Sequence, residues 1–134
     1  MKLAIALAPL LLAGCGAGGQ MVTVAQILAR CDAFKGQPVQ AGGYLGECGG
    51  YDCHLFADEA AAHKPFRSAP TIGIGFEEGF DRKAKPLQNQ YVVITGRVDD
   101  ASCDGVGGTD RSPGIHPTDI RPWTRAVSAQ HDRH

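Results

Sequence analysis

The sequence predicts a small, mainly β (α+β) domain: a barrel of four or five short strands behind one N-terminal helix, stapled by disulfides. Three observations carry that expectation. Only the stretch from Val22 to Phe34 sustains a helical period. Beyond Pro38 the chain breaks into short extended runs separated by glycine and proline. Cys31, Cys48, Cys53 and Cys103 all fall in the part expected to fold, and 134 residues suffice for one domain rather than two.

Before the domain comes a leader. Lys2 gives a short positive region, Leu3 to Leu12 an apolar run broken only by Pro9, and Ala13-Gly14 a small-residue end. These are the three parts of a secretory signal. The apolar run is too short to span a hydrocarbon core of about 30 Å as a helix. Leu12-Ala13-Gly14-Cys15 resembles the lipobox of bacterial lipoproteins. The resemblance implies cleavage before Cys15, acylation of its thiol and a lipid-anchored, periplasm-facing place in the cell envelope. Gly16 after the cysteine is compatible, in such lipoproteins, with the outer membrane over the inner. The expected division is 1–14 signal peptide, 15–21 lipidated tether, 22–127 a single domain and 128–134 a flexible tail. A tether over 16–20 reaches no more than about 20 Å, which keeps the domain close to its membrane.

The helix comes first. Val24, Ile27, Leu28, Cys31 and Phe34 share one face at spacings of three and four, Thr23 with Gln26 fits a capping box, and Gly36 and Pro38 end the run. Val39 to Glu47 reads as a first strand, with Gly42-Gly43 marking a bulge or bend. Asp52 to Phe56 is its hairpin partner across Gly49-Gly50-Tyr51. Glu59 to Lys64 makes a short helical turn before Pro65. Thr71 to Phe76 alternates, with Ile72, Ile74 and Phe76 on one face. A brief helix over Phe80 to Leu87, capped by Asp81, stops at Pro86. Tyr91 to Val98 is the best strand, with Val92, Ile94 and Val98 inward. Ser102 to Pro117 is expected to be a loop, and Ile120 to Val127 a last, edge-like strand.

Val24-Ala25-Gln26-Ile27-Leu28, Phe34 to Val39 and Gly43-Tyr44-Leu45 resemble the opening of small exported OB-fold-like domains, and Val93 to Val98 is similar to a strand near their end. The resemblance spans about residues 22–100. It implies an OB-like barrel and no particular activity, since such folds host many functions.

With Cys15 acylated, four cysteines remain, and three pairings are open to them. Cys48 and Cys53 flank a plausible hairpin tip, which favours a bridge between them and leaves Cys31 with Cys103. The chain-entropy model gives the short loop about 2 kcal/mol and the long one about 4 kcal/mol. A metal site from Cys48, Cys53, His54 and His63 is the competing reading, but the cysteines lack the spacing of a tetrahedral site and no second pair repeats them.

No motif for a cofactor stands out. The leader takes away one of 13 basic residues and none of 14 acidic ones, so the mature chain carries about −2. No strongly basic face is available for nucleic acid. Asp100, Ser102, Asp104 and Gly105 match part of a calcium loop, yet Arg111 stands where the closing glutamate belongs. Ser112, His116 and Asp119 supply the residue types of a hydrolytic set without a nucleophile elbow. The pairs Glu77-Glu78 and Asp99-Asp100 point to opposite sides of extended chain and serve solubility. Asp110-Arg111 and Asp119 with Arg121 suggest surface ion pairs. Tyr44, Tyr51 and Trp123 are the candidate ligand-facing aromatics. The expected function is a non-catalytic binding module anchored to the membrane, with an envelope protein or small molecule as partner. The alternative is a metal-linked or hydrolytic envelope enzyme using the 102–119 loop.

Overall fold

The computed structural model describes residues 19–65, 70–99 and 114–124. Their order is β1 (Gln20–Thr23), α1 (Val24–Ala29), α2 (Cys31–Phe34), β2 (Pro38–Gly49), β3 (Asp52–Phe56), α3 (Glu59–Ala62), β4 (Thr71–Gly73), α4 (Glu78–Ala84), a 3-10 turn (Lys85–Leu87), β5 (Gln90–Val98) and β6 (Ile115–Pro122). The domain is mainly β, as expected. Five strands lie in the order β4-β3-β2-β5-β6, all neighbours antiparallel, and β1 runs parallel to the first part of β2. The meander β2-β3-β4, the helix α4 after it and the return through β5 and β6 make the path OB-like.

The barrel is not closed. Its two edges meet at one parallel bridge, Ile74 with Ile115, supported by Gly114 N–H to the Gly73 carbonyl (2.8 Å) and Gly75 N–H to the Ile115 carbonyl (2.9 Å). With β4 only three residues long, no longer ladder can form there.

Alternation along the strands builds the core. Val39, Ala41 and Leu45 of β2, Cys53 and Leu55 of β3, Ile72 of β4, Val92, Ile94 and Val98 of β5, and Ile115 and Ile120 of β6 face inward and are buried. Val22, Val24 and Ile27 close one end, while Phe80 and Ala84 reach in from α4. A buried phenylalanine ring such as Phe80 is worth about 3–5 kcal/mol against alanine.

The structure corrects several expectations. The N-terminal helix is two short pieces divided at Arg30 (φ −133°, ψ 46°). Its capping box is as read: Thr23 Oγ1 accepts from Gln26 N–H at 3.2 Å, and Gln26 Oε1 accepts from Thr23 N–H at 2.9 Å. The break turns the periodic face, so Val24 and Ile27 are buried but Leu28 is exposed. The chain before that box pairs with β2 from Gln20 onward, so a sixth strand, Gln20–Thr23, starts at the last two residues of the stretch expected as tether. Only Thr71–Gly73 is ladder-paired in the fourth run, and Phe76 points out at 70 % exposure. Glu77, not Asp81, caps α4: its carboxylate accepts from Gly79 N–H at 3.1 Å and Phe80 N–H at 2.6 Å. The last strand starts at Ile115, inside the expected loop, and ends at Pro122. Pro117 is tolerated because it sits where the β5–β6 register shifts.

Gly50 opens the two-residue hairpin loop with φ +58°, and Tyr51 after it has no positive φ. That is the sign pattern of a type II′ turn, which wants glycine first. Cys48 and Cys53 stand opposite one another just below and are bonded. Cys31 is disulfide-bonded too. The expected partner Cys103 lies outside the described residues, as do Cys15, the signal, most of the 102–119 loop and the tail.

Candidate functional site

Of the three candidate aromatics, Tyr44 is corrected. It projects from the outer face of β2, but α3 lies over it and leaves it 6 % exposed. Asp58 caps α3 by accepting from Ala61 N–H at 2.8 Å, and Glu59 N–H donates to the Tyr91 hydroxyl at 3.0 Å. The Tyr44 ring meets Tyr91 edge-on at 5.3 Å and His63 at 6.4 Å. Burial, then the neighbouring Glu59 carboxylate and Tyr91, push its hydroxyl above the ordinary pKa. A ring so enclosed packs; it cannot face a ligand.

Trp123 is half-buried. Its backbone N–H donates to the Tyr91 carbonyl at 2.9 Å, and its ring lies across Gly42. A Cβ on Gly42 would come within 2.5 Å of that ring, so the glycine is the seat the indole needs. Tyr51, at the hairpin tip, is 82 % exposed.

Below that tip is a cleft of about 630 Å³. It is lined by the end of β2 (Glu47, Cys48, Gly49), by residues of α4 and the turn after it, and by Phe76, Gln88 and Asn89. Two buried side chains, Phe80 and Ala84, hold α4 against the barrel. That leaves Glu78, Asp81 and Arg82 of α4, with Lys85 of the following 3-10 turn, lining the cleft at three- and four-residue spacing. The acids come first and the bases after. Glu78 and Arg82 approach at 4.0 Å, both largely in solvent, where such a pair is worth well under about 1 kcal/mol.

Gln88 joins the two walls. Its Oε1 accepts from Cys48 N–H at 2.7 Å, and its Nε2 donates to the Lys85 carbonyl at 3.0 Å. Asn89, with φ +63°, turns the chain into β5 and donates its N–H to the Leu45 carbonyl at 2.8 Å. The Cys48–Cys53 bridge sits in the same wall, and bonded sulfurs are not metal ligands. Among the described residues no three His, Cys, Asp or Glu groups come together as a ligand set.

The residues drawn together as a hydrolytic set are engaged separately. His116 Nε2 pairs with Asp99, which follows the neighbouring strand β5, while Asp119 accepts from Lys83 at 3.0 Å. That bond to Lys83 holds the Asp119 carboxyl below its ordinary pKa. Arg121, expected to pair with Asp119, donates to Gln40 Oε1 at 3.0 Å. Ser112 and the partial calcium motif Asp100–Arg111 lie outside the described residues.

Phe76, Gln88 and the α4 stripe escaped the sequence reading. The spacing 78, 81, 82, 85 was a usable signal. Phe76 gave none, because its alternation with Ile72 and Ile74 pointed inward.

No family model matches the chain, and neither a curated protein nor a solved structure matches it. Among the described residues no helix is long and apolar enough to cross a membrane.

Proposed function

We propose that this is a lipid-anchored envelope protein whose OB-like domain is a non-catalytic binding module, with the cleft between the disulfide hairpin and α4 as its binding surface. The cleft itself carries the reading. It is an open depression of about 630 Å³ lined in part by the exposed Phe76 ring, and the hairpin that forms one of its sides carries the exposed Tyr51. Acylation at Cys15 rests on the lipobox-like Leu12-Ala13-Gly14-Cys15.

The strand direction supports the same arrangement. β1 enters beside Pro38–Gly42, and the cleft lies at the Gly49 end of the same strand. Seven residues of extended chain, about 23 Å at 3.3 Å each, separate Gly42 from Gly49. An anchor five residues before Gln20 therefore attaches at the opposite end of the strand from the cleft and leaves the cleft clear of the attachment point.

The test has two arms. Alkyne-palmitate labelling and membrane fractionation compare the full chain with Cys15→Ser; the variant is expected to lose both label and membrane association. A photo-crosslinking amino acid at position 76 or 51 is expected to give one discrete adduct in the envelope, absent when it is placed at exposed Arg97. Equal labelling of the Cys15→Ser chain sinks the anchor, and no adduct at either position sinks the cleft.

One observation favours a second reading. The His116–Asp99 pair holds an imidazole in a fixed orientation, as a hydrolase would need. Ester hydrolysis abolished in both His116→Ala and Ser112→Ala would establish it.

A further inference from the structure

Resting on the lipid-anchored reading, we propose that the surface around β1 and the α1–α2 break lies on the bilayer itself. Met21 and Leu28 enter the boundary between headgroups and acyl chains, and Arg30 meets the phosphates of anionic lipid. The chain that leads to this surface leaves it little room to stand off. Gly19 is already fixed to the barrel: its carbonyl accepts from Gln40 Nε2 at 3.3 Å, and Arg121 donates to the other end of that amide at 3.0 Å. Its φ of +78°, and the Pro38 carbonyl oxygen that a Cβ at this position would strike, make it a seat only glycine fills. Four residue steps separate Gly19 from Cys15, a reach of at most about 14 Å. The headgroup layer takes up roughly 5–8 Å of that. The point where the chain enters the barrel is therefore held within several ångströms of the headgroups.

The same surface carries the apolar skin that such a position uses. Four large hydrophobic side chains stand exposed among the described residues, and two of them, Met21 at 42 % and Leu28 at 39 %, follow within ten residues of Gly19. The other two, Tyr51 and Phe76, belong to the hairpin and the cleft. Leu28 and Arg30 line one depression of about 410 Å³ where α1 breaks into α2. Apolar tips beside a cation are the pattern by which a surface settles into a bilayer interface.

Charge favours the same orientation. Arg30 and Lys35 outnumber Asp32, which Lys35 approaches at 3.6 Å. The link after α2 is bonded to the end of β5 through Gly36 N–H and the Val98 carbonyl (2.8 Å), which brings Arg97 to this end, and Asp99 beyond it is paired with His116. At the far end of β2, residues 47–59 hold Glu47, Asp52, Asp58 and Glu59 and no lysine or arginine. Around α4, Glu77, Glu78 and Asp81 are balanced by Arg82, Lys83 and Lys85. An anionic surface attracts the first end and repels the second.

The test uses the full chain isolated from the envelope with its acyl groups. It is placed in vesicles of three parts phosphatidylethanolamine to one part phosphatidylglycerol, the latter with a diazirine in its acyl chain. After irradiation, mass spectrometry maps the adducts. They are expected in residues 19–35, centred on Met21 and Leu28, and about five-fold sparser in 47–56. Met21→Ser combined with Leu28→Ser should lower labelling of 19–35 about five-fold, while amide exchange at Val22 and Val39 stays as slow as before. Arg30→Gln should lower it about three-fold in these vesicles and leave it unchanged in phosphatidylcholine vesicles bearing the same photolabel. Adducts spread evenly over both ends overturn the proposal, as do none in 19–35, whether water, a second copy or an envelope protein covers the surface. The parent reading fails separately. A chain whose Cys15 carries no acyl mass removes anchor and docking together, whereas an acylated, vesicle-bound chain with even labelling removes the docking surface alone.

Discussion

The two ends of β2 are built on opposite plans. At the Pro38 end, β1 and α1 fold back on the sheet, and Val22, Val24, Ile27, Val39 and Val98 are sealed within it. At the Gly49 end the strand runs past its helical cover into a disulfide-closed hairpin, with Tyr51 and Phe76 in solvent over a cleft. Apolar area is withdrawn from water at one end and presented to it at the other. The first arrangement stabilises the fold; the second is held by the Cys48–Cys53 bridge, by the Gln88 hydrogen bonds and, from beneath, by the buried Phe80 and Ala84 of α4.

The sharpest way to break this contrast is to remove what supports the open end from beneath. Phe80→Ala empties the site by which α4 grips the barrel and is expected to cost about 3–5 kcal/mol in urea unfolding. A cost under about 1 kcal/mol would mean that α4 is not held by the core. Next, Cys48→Ala with Cys53→Ala should cost about 2 kcal/mol and speed amide exchange at Gly50 and Tyr51, leaving Val22 and Val39 protected. Equal acceleration at both ends would erase the distinction.

At the sealed end, Thr23→Ala removes the N-cap and should cost about 1 kcal/mol in the same unfolding assay, with Thr23→Ser recovering most of it. Smaller still is the Asp119–Lys83 contact. Its lowered carboxyl pKa means the contribution is present above the ordinary carboxylate value of 3.8 and is lost as pH falls through the folded-state value. Lys83→Met should flatten that acid limb by well under about 1 kcal/mol, while stability at pH 7 falls by the same small amount. Smallest of all, Phe76→Ala should change stability by no more than about 0.5 kcal/mol, because the side chain is 70 % exposed. A larger loss would make Phe76 part of the core and the cleft a packing defect.

Sequence pattern was most legible where one local rule acted alone. Asp52–Phe56 matched its strand, Thr23 and Gln26 formed their box, and the Cys48–Cys53 bridge followed from a hairpin tip with glycine in it. It failed where tertiary pairing competed. Gln20–Thr23 has no strand signal of its own and is a strand because β2 offers it an unpaired edge. Leu28 keeps the helical period but loses its burial to the break at Arg30. Tyr44 shows why an aromatic is not a site by type: its exposure depends on α3, which arrives from a different part of the chain. The cleft was hidden for the same reason, since its walls are separated by some thirty residues and are brought together by Gln88, Asn89 and core packing.

The parallel pairing of β1 with β2 has a mechanical consequence. Gln20 to Thr23 lie alongside Val39 to Gly42 as four consecutive rungs. A pull arriving from the N-terminal side, against a load held at the hairpin, runs along the strand axis and in opposite senses on the two strands. The four rungs then share the tension in shear and must yield together, whereas an antiparallel entry would unzip one at a time. The short first strand is thus a strain relief, placed where tension from the N-terminus would enter the barrel.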